Sequence, residues 1–243
     1  MKTLSKTEVS TQVKEVLAWL DRRGSKKNRD GMARYGIVAR NVAGVSVGDL
    51  RKIGKDLGRN HELALALWDT DCYEARMLVA FVGDPEKLTP AQMDRWCRDF
   101  DNWAICDALC FHLYDRTPHA YKKVAQWAKS KEEFVKRASF ALAASLAGHD
   151  KAAPDAKFEP ILPLIERAAT DDRNFVKKGV SWALRGIGMR SPGLHAKSLA
   201  LARRLAASDS SAARWIGKDA IRDITRPLVL KRVVQRSKGP EGP

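Results

Sequence analysis

Asp107 stands inside "DFDNWAICDALCFHLYD", residues 99–115, an apolar stretch where a carboxylate is out of place. At about 100° per residue, Ile105, Leu109 and Leu113 form one helical stripe, which reads as core. Trp103, Phe111 and Tyr114 form a second stripe on the other side, with Asp107 at its centre. A carboxylate ringed by aromatic faces suits the stabilisation of positive charge that develops during a reaction. The carboxylate contributes its field and the rings contribute cation–π attraction. The competing reading of Asp107 is a buried acid paired to an arginine or to a helix N-terminus. Asp99 or Asp101 is placed to cap the helix.

Three further helices offer charge away from their core stripes. Over 173–187, Val176, Val180, Leu184 and Ile187 read as core, while Lys178, Trp182 and Arg185 share the opposite side. Gly179 and Gly186 lie beside them, where a missing Cβ lets a ligand's backbone come close. Cations around a ring suit a phosphate chain with a sugar or base against the ring, and equally a half-exposed Trp among solvated charges. Over 132–147, Val135, Leu142 and Leu146 read as core, with Arg137 on another face followed by Ala141, Ala144 and Ser145. Arg137 there suits a bidentate phosphate contact or a salt bridge within the fold. Over 210–224, Arg214, Lys218 and Arg222 share one side, Trp215 lies at its edge, and Ile216, Ala220 and Ile224 form the core stripe. The segment Asp21–Gly31 adds five basic residues.

The elements that must carry these residues are helical. Sustained period-2 alternation is absent, and helical patterns run near 7–22, 27–36, 47–58, 61–69, 72–82, 90–98, 102–114, 118–128, 132–147, 157–169, 173–187, 192–206 and 210–224. Thr89-Pro90 and Thr117-Pro118 place Pro at the first helical position. The chain also repeats itself. "FVKRASFAL" begins at Phe134, "FVKKGVSWAL" begins 41 residues later at Phe175, and "RWIGKDAI" follows at Arg214. Two helices in about 40 residues is the HEAT-type period, which stacks into an all-α solenoid with a concave surface. This predicts one HEAT-like repeat domain over 1–226 with a basic groove. Residues 227–243 are basic and Gly/Pro-rich, and are expected to fray.

Composition narrows the partners. A net charge of +15 and a pI near 9.8 attract polyanions, nucleic acid first. No run reaches transmembrane length, and "MKTLSKTEVSTQ" lacks a secretory apolar region, which predicts a cytoplasmic protein without a membrane partner. Cys72, Cys97, Cys106 and Cys110 show no metal-ribbon or disulfide spacing and read as buried thiols. The five histidines are scattered, and no G-x-S-x-G elbow occurs.

The combination of "NWAICD", "FVKRA" and "FVKKGVSWALR" resembles the AlkD-like DNA alkylation repair family of HEAT-like repeat glycosylases, over about Met32 to Arg226. The resemblance implies that Asp107, one turn after Trp103, is the catalytic carboxylate, that Trp182 is the second active-site Trp, and that Arg137 matches the family's arginine. Ala104 and Ile105 stand where a second Trp and a polar residue are often found. The implied activity is removal of cationic N3- and N7-alkylated purines from duplex DNA, without drawing the base into a pocket. Lys178, Arg185, Arg214 and Lys218 are then expected to contact DNA, with no metal or cofactor, in a monomer associated with the nucleoid. A noncatalytic binder of damaged or branched DNA would use the same cations, and a HEAT-type protein scaffold would make the charge incidental.

Overall fold

The computed structural model describes residues 5–37, 39 and 41–237. Among these there are fourteen α-helices, three short 3₁₀ turns and no strand, an all-α HEAT-like fold. The helices gather into two compact units, 1–118 and 119–243.

The first unit runs α1 (Lys6–Arg23), α2 (Lys26–Met32), a 3₁₀ turn Ala33–Tyr35, α3 (Val47–Leu57), α4 (His61–Trp68), α5 (Tyr73–Val82), α6 (Pro90–Arg98) and α7 (Trp103–His112), then a turn Tyr114–Arg116. Caps explain several starts. Ser5 and Glu8 form a capping box on α1, and Thr89 and Gln92 form one on α6 with Pro90 in its first turn. The core between α4, α5 and α6 is aromatic and aliphatic. Trp68 stacks on Trp96 at 5.0 Å, donates its indole N–H to Asp99 at 2.7 Å, and lies under the Arg76 guanidinium at 5.1 Å.

The second unit runs α8 (Ala120–Trp127), α9 (Glu133–His149), a 3₁₀ turn Asp155–Lys157, α10 (Ile161–Ala168), α11 (Asn174–Gly188), α12 (Pro192–Ala206), α13 (Ser211–Ile224) and α14 (Pro227–Ser237). The three sequence echoes fall in α9, α11 and α13, the second helices of successive pairs. These helices pack in order, α9 on α11 on α13, while α8, α10 and α12 form the other layer. Equivalent positions touch: the Phe134 and Phe175 rings that open the first two echoes lie 5.3 Å apart. That is the packing a two-helix repeat requires, since one pair alone cannot cover its apolar face.

Three expectations change. Pro118 precedes its helix instead of starting it, because Thr117 closes the Tyr114–Arg116 turn through its amide and hydroxyl, and α8 begins at Ala120. Residues 227–237 form α14, with Val233 buried, where a frayed tail was expected; residues 238–243 lie outside the described residues. Gly179 and Gly186 turn the direction of their missing Cβ toward α9 rather than toward open solvent. A Cβ on Gly179 would sit 3.5 Å from the Arg137 carbonyl, and one on Gly186 would sit 3.4 Å from the Ala147 methyl.

All four cysteines are buried. No described helix is long and apolar enough to cross a membrane, and no described group of three or more His, Cys, Asp and Glu could hold a metal ion.

His61 opens α4 with 6% of its surface exposed, and its Nδ1 has no hydrogen-bond partner. Burial lowers its pKa, against a smaller raising effect of its hydrogen bond to Gln92. The unfolded chain then takes up a proton near pH ~6.5 that the folded chain resists, so stability falls as pH drops through that range and is unaffected above it. Thermal melting from pH ~7 to ~5 should show this loss, and His61→Gln should flatten it.

Candidate functional site

Asn102 starts α7. Its side-chain oxygen accepts the amides of Ala104 at 3.0 Å and Ile105 at 3.1 Å. This corrects the expected acidic cap: Asp99 is spent on Trp68, and Asp101 accepts from the Asn102 side-chain amide at 2.6 Å. An Asn reaches the first-turn amides as well as Asp does, and its own N–H₂ then needs the acceptor that Asp101 supplies.

With the helix so started, Ile105, Cys106, Leu109 and Cys110 are buried, and Trp103, Asp107 and Phe111 are each partly exposed. These three recur at every fourth position, one helical turn apart, on one face. Tyr114 leaves this face. The α-helix ends at His112, Leu113 departs from helical geometry at φ −135°, and Tyr114 is buried against Phe100. Trp103 is oriented by a bond that no sequence pattern announces: its Nε1–H donates to the Tyr35 carbonyl at 2.8 Å. Gly36 follows in the left-handed region, φ 68°, and closes the turn that presents this carbonyl. The Tyr35 ring itself is 70% exposed.

A polar cleft lies in the same unit between Asn41, Asp71, Tyr73, Arg76, Asp101 and Ile105. Arg76 pairs with Asp71 at 2.8 Å across it. Ile105 therefore faces this cleft and the core.

The second unit carries the remaining candidates, and they divide by what already holds them. Arg137 is buried, with 6% of its surface exposed, and donates to the Phe175 carbonyl at 2.9 Å, tying α9 to the start of α11. The small residues after it are not an open surface: Ala141, Ala144 and Ser145 are all buried, and Ala144 lies against Gly186. Arg185 bridges to Asp223 at 3.1 Å and to Asp219 at 3.6 Å, joining α11 to α13. Asp219 also takes the Ser181 hydroxyl at 2.7 Å and pairs with Arg222. Arg214 donates to the carbonyls of Ser208 at 2.8 Å and Asp209 at 2.7 Å, bracing the turn before α13. Lys178 and Lys218 are exposed, and Trp182 is partly exposed on α11. Trp215 is 39% exposed, with the Lys177 ammonium 5.1 Å from its ring. The arginines thus do structural service, while the exposed lysines present charge to solvent.

A family model described as DNA alkylation repair enzyme matches residues 16–224. No curated protein sequence compared with the chain matches it. Among solved structures, one from a new family of proteins related to the HEAT-like repeat DNA glycosylases, with affinity for branched DNA structures, superposes with a TM-score of 0.73 at 21% identity, covering 86% of this chain and 94% of that one. A designed armadillo repeat protein in complex with a (KR)4 peptide reaches a TM-score of 0.39 at 12% identity, covering 79% of this chain and 82% of its own.

Because Arg185 compensates two partly buried carboxylates, Arg185→Ala should lower stability by about 1–2 kcal/mol. Lys178→Ala should stay within about 0.5 kcal/mol. Urea unfolding of the two variants separates the structural cation from the solvated one.

Proposed function

This chain belongs to the DNA alkylation repair enzyme family, and from that premise we propose that it is a monofunctional DNA glycosylase. Its substrate is a cationic N3- or N7-alkylated purine in duplex DNA, and it acts as a cytoplasmic monomer on nucleoid DNA. The observation that carries this reading is the α7 face, where Asp107 follows Trp103 by one turn and the Trp103 indole is fixed by the Tyr35 carbonyl.

The chemistry asked of that face is modest. Alkylation at N3 or N7 makes the purine cationic, so it departs as a neutral base with the bonding electron pair of the C1′–N bond. The sugar becomes oxocarbenium-like as that bond lengthens. The Asp107 carboxylate stabilises this charge and orients the water that adds to C1′, whose proton passes to solvent or to the carboxylate. Trp103 adds the attraction of its ring face for the same cation. Trp182 has the corresponding role by its match to the family's second active-site Trp. An amine nucleophile has no place in this scheme, so the product is an intact abasic site without strand cleavage.

Phosphate contacts fall first to Lys178 and Lys218, which are exposed. Arg137, Arg185 and Arg214 support the surface through their bonds within the fold, and reach phosphate only with groups those bonds leave over. A second reading, a noncatalytic binder of branched DNA, is favoured by the described affinity of the relative that superposes over 86% of the chain. Asp107 would then be dispensable.

Base release from a duplex holding a single N7-methylguanine decides between them. The wild type should release the base, and Asp107→Asn should lose about 10²–10³-fold in rate with DNA binding retained. Binding without release by the wild type would favour the branched-DNA reading. In the same assay format, Lys178→Ala and Lys218→Ala should each reduce the slope of log K against log[salt] by about 1.

A further inference from the structure

The segment that presents the Tyr35 carbonyl has little hydrophobic anchorage, with Met32 only partly buried. Neither α2 nor the Ala33–Tyr35 turn fully buries a side chain. Polar bonds hold it instead. The Gly44 carbonyl accepts from the Ser25 amide at 3.1 Å and from Asn28 Nδ2 at 2.9 Å, and the Ala43 carbonyl accepts from Arg29 Nη1 at 2.7 Å. Ser25 is also the N-cap of α2.

The strip that accepts these bonds is held from the other side by a buried carboxylate, beside the Tyr73 amide that donates to the Asn41 carbonyl at 2.9 Å and the buried Val45 side chain. Glu74 on α5 is fully buried, and it accepts the amides of Ala43 at 2.9 Å, Gly44 at 2.6 Å and Val45 at 3.2 Å. Gly44 has φ 85°, which lets the three N–H groups converge, and a Cβ there would collide with the Ser25 carbonyl. Amides donating to a buried anion make strong bonds, and α2 and the turn add no fully buried side chain to them.

We infer that Glu74 is a positioning residue for Trp103. Through the amides of residues 43–45 it sets α2 and the turn after it, and so fixes the carbonyl that receives the Trp103 indole N–H. The effect on base release rests on the glycosylase reading above; the effect on Trp103 does not. Local opening of such a segment is governed by the few bonds that hold it, so losing one should raise its exchange rates selectively.

The test uses the full chain. Glu74→Gln keeps the volume and one acceptor oxygen but turns an N–H₂ group toward a backbone amide. Asn28→Ala/Arg29→Ala cuts the outer half of the same network at the surface, where folding is safe. In both, hydrogen exchange of the Trp103 Nε1–H and of the amides of 26–35 should accelerate about tenfold or more, the equivalent of ~1.4 kcal/mol. The amides of α5 and α7 should keep wild-type protection. Release of N7-methylguanine should fall severalfold in kcat with little change in KM. Unchanged Trp103 exchange in both variants would overturn the inference, as would equal acceleration throughout α5 and α7. Faster Trp103 exchange with unaltered kcat would overturn its link to catalysis. Absence of base release by the wild type would defeat the glycosylase reading and leave the exchange comparison to decide the positioning role.

Discussion

Stacked helices can approach only as closely as their side chains allow, and the second unit depends on that steric limit. Along α9 and α11 the facing positions are Ala144, Ala147, Gly179 and Gly186, and the spaces that Cβ atoms would occupy are already at van der Waals contact. Between α12 and α13 the limit is harder: a Cβ on Gly217 would collide with the Ala206 amide and the Ala202 carbonyl. Because the backbones come so near, Arg137 reaches across to the Phe175 carbonyl and Arg185 reaches the carboxylates of α13. Small residues thus set the spacing, and long cations lock it.

The first unit solves its equivalent problem with polar groups. Its aromatic core around Trp68 and Trp96 holds α4, α5 and α6 together by burial. The α2 segment lies outside that core and is tied by a buried carboxylate and a run of backbone bonds. A segment held in this way can be placed accurately while its outer face stays basic and exposed. That combination places a basic, exposed face beside the carbonyl that receives the Trp103 indole N–H.

The net charge of +15 is what remains after 29 acidic residues offset 29 of the 44 basic ones, and the ion pairs show where some of that offsetting takes place. Asp69, Asp71, Asp171, Asp219 and Asp223 are each engaged with arginine or lysine. For Asp171, the hydrogen bond from Arg173, with Lys136 beside it, holds the carboxyl well below the usual carboxylate range. Arginine is the cation chosen for most of these ties, since its planar fork satisfies carbonyls and carboxylates together. Lys178 and Lys218, by contrast, face solvent.

By itself the sequence determined the helical class, the 41-residue echo of paired helices and the core stripes of α7, α9, α11 and α13. All of these follow from local periodicity, which a single chain displays openly. It also brought Trp103 and Asp107 to one face of one helix, since four residues make one turn. Only the tertiary structure decided which cations are spent. Arg137 and Arg185 look like ligands for phosphate on a helical wheel, and their partners at Phe175 and Asp223 lie 38 residues away in the chain. It likewise decided that Tyr114 turns inward, that Asn102 rather than an aspartate caps α7, and that Tyr35 holds Trp103 across 68 residues of chain. Hydrogen bonds to backbone carbonyls leave no trace in residue type, because every residue supplies the same acceptor.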